Sequence, residues 1–156
     1  MNGKVVGGGI VLTAVIAGAI IYWLQVYAFY EPVMIEPGHE IALTPIVSGT
    51  PENILVENFQ GIDAQSSPLR FRGCFNTPLS LALLTETYLI YEKADPLNAP
   101  GWFDCFDAEK IGEALKTGEA VAFLSVANIA TGVDRVIAVF PDGRAYAWHQ
   151  LNGTLE

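Results

Sequence analysis

Basic residues are scarce in this sequence, which has 8 Lys and Arg against 17 Asp and Glu and a formal charge of −9. All the acidic residues and seven of the basic ones lie in residues 31–156, which therefore carry a formal charge of −10. So few cations cannot form a basic patch, which argues against nucleic acid as a partner. The acidic surface would attract cationic periplasmic proteins, although surface charge also serves simply to keep a domain soluble.

Charge is missing altogether between Val5 and Tyr30. These 26 residues would form a helix about 39 Å long, against a hydrocarbon core of about 30 Å. A cleaved signal peptide usually has an apolar run of about 7–15 residues that ends at a small-x-small site; Ala17–Ala19 offers one, but the run continues well beyond it. The sequence therefore predicts an uncleaved transmembrane anchor over residues 1–30. The span contains no ionisable residue, so it is not expected to conduct ions or protons.

The charges that flank this run predict its orientation. Lys4 precedes it, whereas Glu31 is the first charge after it and Arg70 is the next basic residue. The positive-inside rule then places the N-terminus in the cytoplasm and the remaining chain in the periplasm, outside a bacterial inner membrane.

Two groups of residues in the span are candidates for contacts with other proteins. The first consists of small residues on one helical face, which would let a helix of an integral membrane subunit approach closely: Gly7, Ala14 and Gly18. Small residues are also common in spans that contact only the lipid bilayer. The second group consists of aromatic residues at the outer end, where amphipathic rings favour the interface: Tyr22, Trp23 and Tyr27.

Cysteine is equally scarce, and the two residues present, Cys74 and Cys105, do not form a Cys-x-x-Cys pair. A thioredoxin-like active site and a haem attachment site are therefore absent. In an oxidising compartment the two cysteines are expected to form a disulfide, which by chain-entropy arithmetic would stabilise the domain by roughly 3–4 kcal/mol. A zinc site or a Cys–His nucleophile that uses His39 or His149 stays open, although no motif supports either. We predict no catalytic residue, no metal site and no cofactor.

The chain after the span predicts a small α+β domain. Residues 31–53 hold four prolines and two glycines, which are typical of an extended stalk that leads into the fold, with EIALTP (residues 40–45) as a candidate for a short edge strand. Strands are expected at about 54–60 and 68–75, and a helix follows, with Asn76 or Thr77 as its cap. The predicted anchor, stalk and folded periplasmic domain are residues 1–30, 31–53 and 54–156.

The second half of this domain has clearer signals. Asp107 is a good N-cap for a helix that Gly118 would end, and three strands follow. Asp142 and Gly143 predict a tight hairpin between the last two strands, with both residues at positive φ. The fold class is therefore α+β, an antiparallel sheet of about five strands with two helices. Trp102 and Phe103 precede the second helix on a loop and are further candidates for partner contact, since aromatic residues often anchor interfaces; packing over the disulfide is the alternative.

Three stretches carry a resemblance to a known family: TPLSLALLTETY, APGWFDCFDAEKIGEAL and VFPDGRAYAWHQ. At these stretches the chain resembles small single-span membrane proteins of Rhodobacter-like alphaproteobacteria that contain a domain of unknown function. The resemblance implies no catalytic residue. It does imply an inner membrane that is rich in respiratory and photosynthetic complexes.

These observations predict a non-catalytic, membrane-anchored accessory or assembly subunit of a larger inner-membrane complex of electron transfer. The alternative is a periplasmic enzyme or chaperone that handles thiols or metals through Cys74, Cys105, His39 and His149. A third possibility is a sensor or scaffold that binds a small ligand in the α+β domain.

Overall fold

The computed structural model describes residues 2–35 and 41–155. Its helical elements are α1 (Gly3–Trp23), a π-helical turn (Leu24–Ala28), α2 (Leu81–Thr87) and α3 (Ala108–Thr117). The strands are β1 (Glu31–Val33), β2 (Ala42–Leu43), β3 (Glu52–Asn53), β4 (Glu57–Asp63), β5 (Arg72–Asn76), β6 (Val121–Ala130), β7 (Val133–Val139) and β8 (Arg144–Leu151). An apolar N-terminal helix is thus followed by a mainly antiparallel sheet with two further helices, which confirms the predicted α+β class.

The N-terminal helix α1 is not buried against the domain. All residues of α1 are exposed, and Gly3–Ala28 is long and apolar enough to cross a membrane. A signal sequence near an N-terminus has the same length and composition, so these properties alone do not separate the two.

The main sheet has six strands in the order β1-β4-β5-β8-β7-β6, and every pair is antiparallel. Side chains on successive strand residues point to opposite faces of the sheet. The side chains on both faces are largely apolar, and both faces are covered by other elements. The β2–β3 hairpin and α2 cover the first face, on which Ile137 and Leu43 are fully buried. The second face lies under α3 and the loop before it, where Trp148 and Val136 are fully buried.

The helix α3 forms as the sequence signals at its two ends predict. The Asp107 carboxylate accepts a hydrogen bond from the Lys110 backbone N–H at 3.2 Å, and Gly118 ends the helix with φ +76°. Ile111 and Ala114 form its buried side. The local sequence is sufficient here because the cap, the apolar stripe and the terminal glycine all specify the same helix.

The predicted stalk over 31–53 is wrong in its described parts. Residues 31–33 pair with β4 as an edge strand, and from Ile41 onwards the chain is part of the domain. Ile41 and Leu43 are 3% and 0% exposed, and the Thr44 hydroxyl donates to the Ser125 carbonyl at 2.8 Å. Prolines suit edge strands as well as linkers. The short strand considered at residues 40–45 is present as β2, Ala42–Leu43.

Three smaller predictions also differ from the structure. The strands expected at 54–60 and 68–75 are shifted to β4 and β5. The helix after Thr77 begins later, with Ser80 as its N-cap, because Thr77 is held by a backbone bond from its N–H to the Gly143 carbonyl at 2.9 Å. In the last hairpin only Gly143 has positive φ, at +90°, while the Asp142 side chain accepts from the Arg144 N–H instead.

Candidate functional site: the junction between helix and domain

The end of the apolar helix is bonded to two separate loops of the domain. The last four carbonyls of a helix lack partners within it, and here they fall in the π-helical turn. The Gln25 carbonyl accepts a hydrogen bond from Nη1 of Arg70 at 2.9 Å, and the Val26 carbonyl accepts one from Nε1 of Trp102 at 2.6 Å. The helix end is therefore satisfied by side chains that lie 45 and 76 residues further along the chain.

Aromatic rings surround these two hydrogen bonds. The Trp102 ring stacks on Tyr27 with centroids 6.1 Å apart and meets Tyr30 edge-on at 5.7 Å. The Arg70 guanidinium lies 5.4 Å from the Tyr30 ring centroid, and its Nη1 donates to the Tyr30 hydroxyl at 3.4 Å. We call this set the junction: Gln25, Val26, Tyr27, Tyr30, Arg70 and Trp102.

The buried side chain of Arg72 positions both loops of the junction. Its guanidinium donates to the carbonyls of Leu69 and Phe71, beside Arg70, and to those of Leu97 and Asn98, ahead of Trp102. Arg72 is only 4% exposed, and burial lowers its pKa to about 10, so it stays charged at neutral pH. A single cation therefore satisfies four backbone oxygens and joins the two loops.

A disulfide fixes the Trp102 loop at its other end. Cys74 on β5 is bonded to Cys105, with their Cα atoms 6.3 Å apart, which is the pairing that the sequence predicted. Phe103 and Phe106 pack beneath the loop, and the Phe106 ring meets Trp148 edge-on at 6.3 Å. Trp102 is thus presented to the helix by a loop that is held by a cation, a covalent bond and a buried aromatic cluster.

His149 lies in a second buried polar cluster, on the opposite face of the sheet from Arg72. Its Nε2 accepts a hydrogen bond from Nε of Arg135 at 3.0 Å, so the ring proton lies on Nδ1, which donates to the Pro68 carbonyl at 2.7 Å. The ring also stacks on Phe71, with centroids 4.7 Å apart. Burial, together with the charge of Arg135, lowers the pKa of His149 to about 4, and the imidazole is neutral at physiological pH.

The Asp63 carboxylate interacts electrostatically with Arg135 of this cluster. Burial raises its pKa, while its own bond from the Ala64 N–H and the charges of Arg135 and Arg72 act in the opposite direction. The cluster supports the loop that carries Arg70, since Pro68 belongs to that loop.

A family model matches residues 41–156 and is described as a family of unknown function, DUF6446. The chain belongs to this family. No curated protein matches the chain, and no solved structure matches it. The DUF6446 match begins after α1 and β1, so it contains Arg70 and Trp102 but not the part of the helix that they contact.

Within the DUF6446 domain, the residues of the predicted thiol or metal site are engaged elsewhere. Cys74 and Cys105 are bonded to each other, and both ring nitrogens of His149 have partners. His39 lies outside the described residues. In the part of the chain that the structure describes, no group of three or more His, Cys, Asp or Glu side chains is arranged to hold a metal ion.

The candidates for partner contact fall into two groups. Tyr27 and Trp102 contact each other inside the junction, and Phe103 is buried at 9% exposure, so the expectation that Phe103 anchors a partner is wrong. Tyr22 and Trp23 remain 62% and 57% exposed.

The small residues of α1 have open space around them. Nothing lies within 4 Å of a Cβ built on Gly7 or Gly18. Ala14 lies along a shallow, open groove on the helix surface, together with Gly9 and Ala17. The structure therefore leaves this face free for lipid or for another helix.

Sequence reasoning identified four of these features and missed two. It singled out both cysteines, Trp102 and Tyr27, but not the roles of Arg70 and Arg72. The available signal was that these two arginines are the first basic residues after Lys4 and are only two positions apart.

Proposed function

We propose that this chain is a non-catalytic, membrane-anchored accessory or assembly subunit of a larger membrane complex. In this proposal α1 spans the membrane and packs against helices of the complex. The DUF6446 domain sits at the membrane surface in a fixed orientation and contacts the complex from there. The observation that carries the proposal is the junction, because it holds the domain against the end of the helix instead of suspending it from a stalk.

The exposure of α1 supports an anchoring role. A helix that is apolar on all sides and fully exposed needs a non-aqueous environment, because leaving so many large side chains in water is unfavourable. The groove beside Ala14 is a place where a second helix could approach closely, as small residues permit in membranes.

The rigidity of the junction supports an accessory or assembly role. A domain that only needs to be near a membrane can be attached by a flexible linker. Here two side-chain hydrogen bonds and two ring contacts fix the domain on the helix. A fixed unit can contact a partner inside the membrane and at its surface at the same time, which increases the total affinity without either contact being strong.

The disulfide supports the periplasmic location of the domain. Disulfides persist in oxidising compartments such as the bacterial periplasm and are rare in the cytosol. Lys4 before the span and Glu31 after it favour the same orientation by the positive-inside rule. Fusion of a periplasm-dependent phosphatase to the C-terminal end should give active enzyme, and a cytosol-dependent reporter at the same place should be inactive.

The host complex is identified by co-purification. The full chain is extracted in mild detergent, separated on a native gel, and the proteins that migrate with it are identified by mass spectrometry. From the resemblance described under Sequence analysis, we expect a respiratory or photosynthetic electron-transfer complex. Migration of the chain alone at every salt concentration would contradict an accessory role.

A matched pair of variants tests whether α1 supplies the contact. Ala14→Leu fills the groove on the helix and should release the chain from the complex. Ala19→Leu makes the same change on another side of the helix and should leave the association intact. If both variants co-purify as the wild type does, the groove is not the contact.

A further inference from the structure

One end of the sheet lies beside the end of the apolar helix. β1 begins at Glu31, directly after the helix, and Glu31 pairs with Asp63 at the end of β4. The row of paired residues that begins with Glu31 and Asp63 runs across the sheet to His149 on β8 and Arg135 on β7. His149 and Arg135 pair directly with each other. We call the three segments beyond this level, which consist of loops and the adjoining strand ends, the anchor-side edge: residues 64–70, 127–133 and 151–155.

The anchor-side edge exposes two leucine side chains among uncharged polar residues. Leu151 and Leu155 are 57% and 62% exposed, and Ile129 is half-buried. The exposed polar residues of the edge are Gln65, Ser66, Asn128, Thr131 and Thr154. The Leu155 side chain lies over Gly132, where a Cβ would collide with it, so Leu155 is held against the β6–β7 turn.

Partly buried hydrogen bonds hold the segments 127–133 and 151–155 in place. The Asp134 carboxylate accepts from the Asn128 N–H and from Nδ2 of Asn152, both at 2.8 Å. Asn128 has φ +48°, a conformation that these bonds stabilise. The Asn152 N–H also donates to the Gly132 carbonyl at 3.0 Å, so the two loops are tied to each other. The apolar side chains are therefore displayed on a rigid edge.

The charge of this edge differs from that of the domain as a whole. Its three segments contain no Asp or Glu, and their one charged residue is Arg70. The exposed Glu31 and the half-buried Asp63 lie at the level where these segments begin. The exposed acid Asp95 lies close to this edge, because its N–H bonds to the side chain of Gln150, the residue before Leu151. Glu156 lies outside the described residues. The opposite end of the sheet carries acids instead: Glu57, Glu119 and Asp142.

We propose that the anchor-side edge docks on the surface of the same bilayer that α1 spans, with Leu151 and Leu155 inserted among the lipid headgroups. This inference rests on the proposed function, because it requires the helix to be in the membrane. A membrane surface that contains anionic lipid repels acidic groups, so the end of the sheet whose three segments lack Asp and Glu is the end that can approach it. The edge is also continuous with the junction through Arg70, so docking extends a contact with the bilayer that the helix has already made.

Spin labels on the full chain test the docking. Leu151→Cys, Leu155→Cys and Leu55→Cys are labelled one at a time with the Cys74–Cys105 disulfide intact, in vesicles of phosphatidylcholine and phosphatidylglycerol. Leu55 is the matched control, because it is 66% exposed and lies before β4, away from the anchor-side edge. An Ile16→Cys label reports separately whether α1 is in the bilayer.

Collision rates with oxygen and with a water-soluble nickel complex distinguish lipid, water and protein surroundings. The labels at 151 and 155 should show several-fold less nickel collision than the label at 55, together with high oxygen collision. Adding Leu151→Asn should restore nickel access to the label at 155, whereas Leu55→Asn should not.

Three results would overturn docking. Nickel access at 151 and 155 equal to that at 55 would place the edge in water. Low access to both reagents would mean that a second copy of the chain covers the edge. In either case an Ile16 label that is open to oxygen and closed to nickel would leave the anchor, and with it the proposed function, intact. A nickel-accessible Ile16 label would reject both.

Discussion

Removal of the Trp102 side chain should free the domain from the helix without unfolding it. Trp102→Ala eliminates the bond from the indole N–H to the Val26 carbonyl, which contributes about 1 kcal/mol. It also eliminates ring contacts with Tyr27 and Tyr30, each of which is worth about 0.5–1.5 kcal/mol. The total of about 2–4 kcal/mol would shift the ratio of docked to undocked domain by at least about 30-fold. Trp102→Phe keeps a ring but loses the donor, so it should shift the ratio only about fivefold.

The assay is the distribution of distances between two spin labels in lipid nanodiscs, one at Ile16 on the helix and one at Leu55 on the domain. We expect a narrow distribution in the wild-type chain, a broad one in Trp102→Ala and an intermediate one in Trp102→Phe. Trp23→Ala is the matched control, because Trp23 is 57% exposed on the helix and its loss should leave the distribution narrow.

Denaturation separates loss of docking from loss of folding. Trp102 is 38% exposed and contacts mainly the helix, so the unfolding midpoint of the domain should change little. An unchanged distance distribution in Trp102→Ala would refute the reasoning, since the contacts at the junction would then not orient the domain.

Three further predictions follow from the packing of the domain. Reduction, or replacement of Cys74 and Cys105 by Ala, should lower the free energy of unfolding by roughly 3–4 kcal/mol, measured in urea, because it opens a loop with a sequence separation of 31; equal stability with and without reductant would contradict this. Arg72→Met should cost about 3 kcal/mol or more and speed amide exchange in the Trp102 loop, because four backbone carbonyls, one of them buried and three partly buried, lose their donor. Arg144→Met, at an exposed ion pair, should cost less than about 1 kcal/mol. His149 binds a proton near its ordinary pKa of 6.5 in the unfolded chain but only near 4 in the folded chain. The free energy of unfolding should therefore fall by about 3 kcal/mol as the pH drops from about 6.5 to about 4. His149→Gln should remove this contribution from the dependence of the free energy of unfolding on pH.

The sequence predicted elements whose signals are local. The helix α3 has its cap, its buried stripe and its terminal glycine within twelve residues, from Asp107 to Gly118. The β7–β8 hairpin is similarly complete, since its turn residues lie between two apolar strands. In these cases every interaction that decides the structure is between near neighbours.

The junction could not be predicted in the same way. Arg70 and Trp102 bond to carbonyls that become available only because the helix ends in a π-helical turn, and nothing in the local sequence specifies which distant side chain will reach them. Arg72 lies in a predicted strand, and the sequence around it does not indicate a buried role. Its four acceptors come from two loops that are distant from each other in the sequence. The extent of the stalk was mispredicted for a related reason. Ile41 and Leu43 are buried by contacts with distant residues of the sheet, which the local sequence does not indicate.

The fixed junction couples the orientation of the domain to that of the helix. Membrane-spanning helices tilt to match the thickness of the hydrocarbon layer, commonly by about 20°. If α1 spans a membrane as proposed, the contacts of Trp102 and Arg70 mean that any change of tilt moves the acidic far end of the domain through an arc instead of being absorbed at a hinge. The thickness of the surrounding lipid would thereby set how far from the bilayer, and at what angle, that end meets a neighbouring protein.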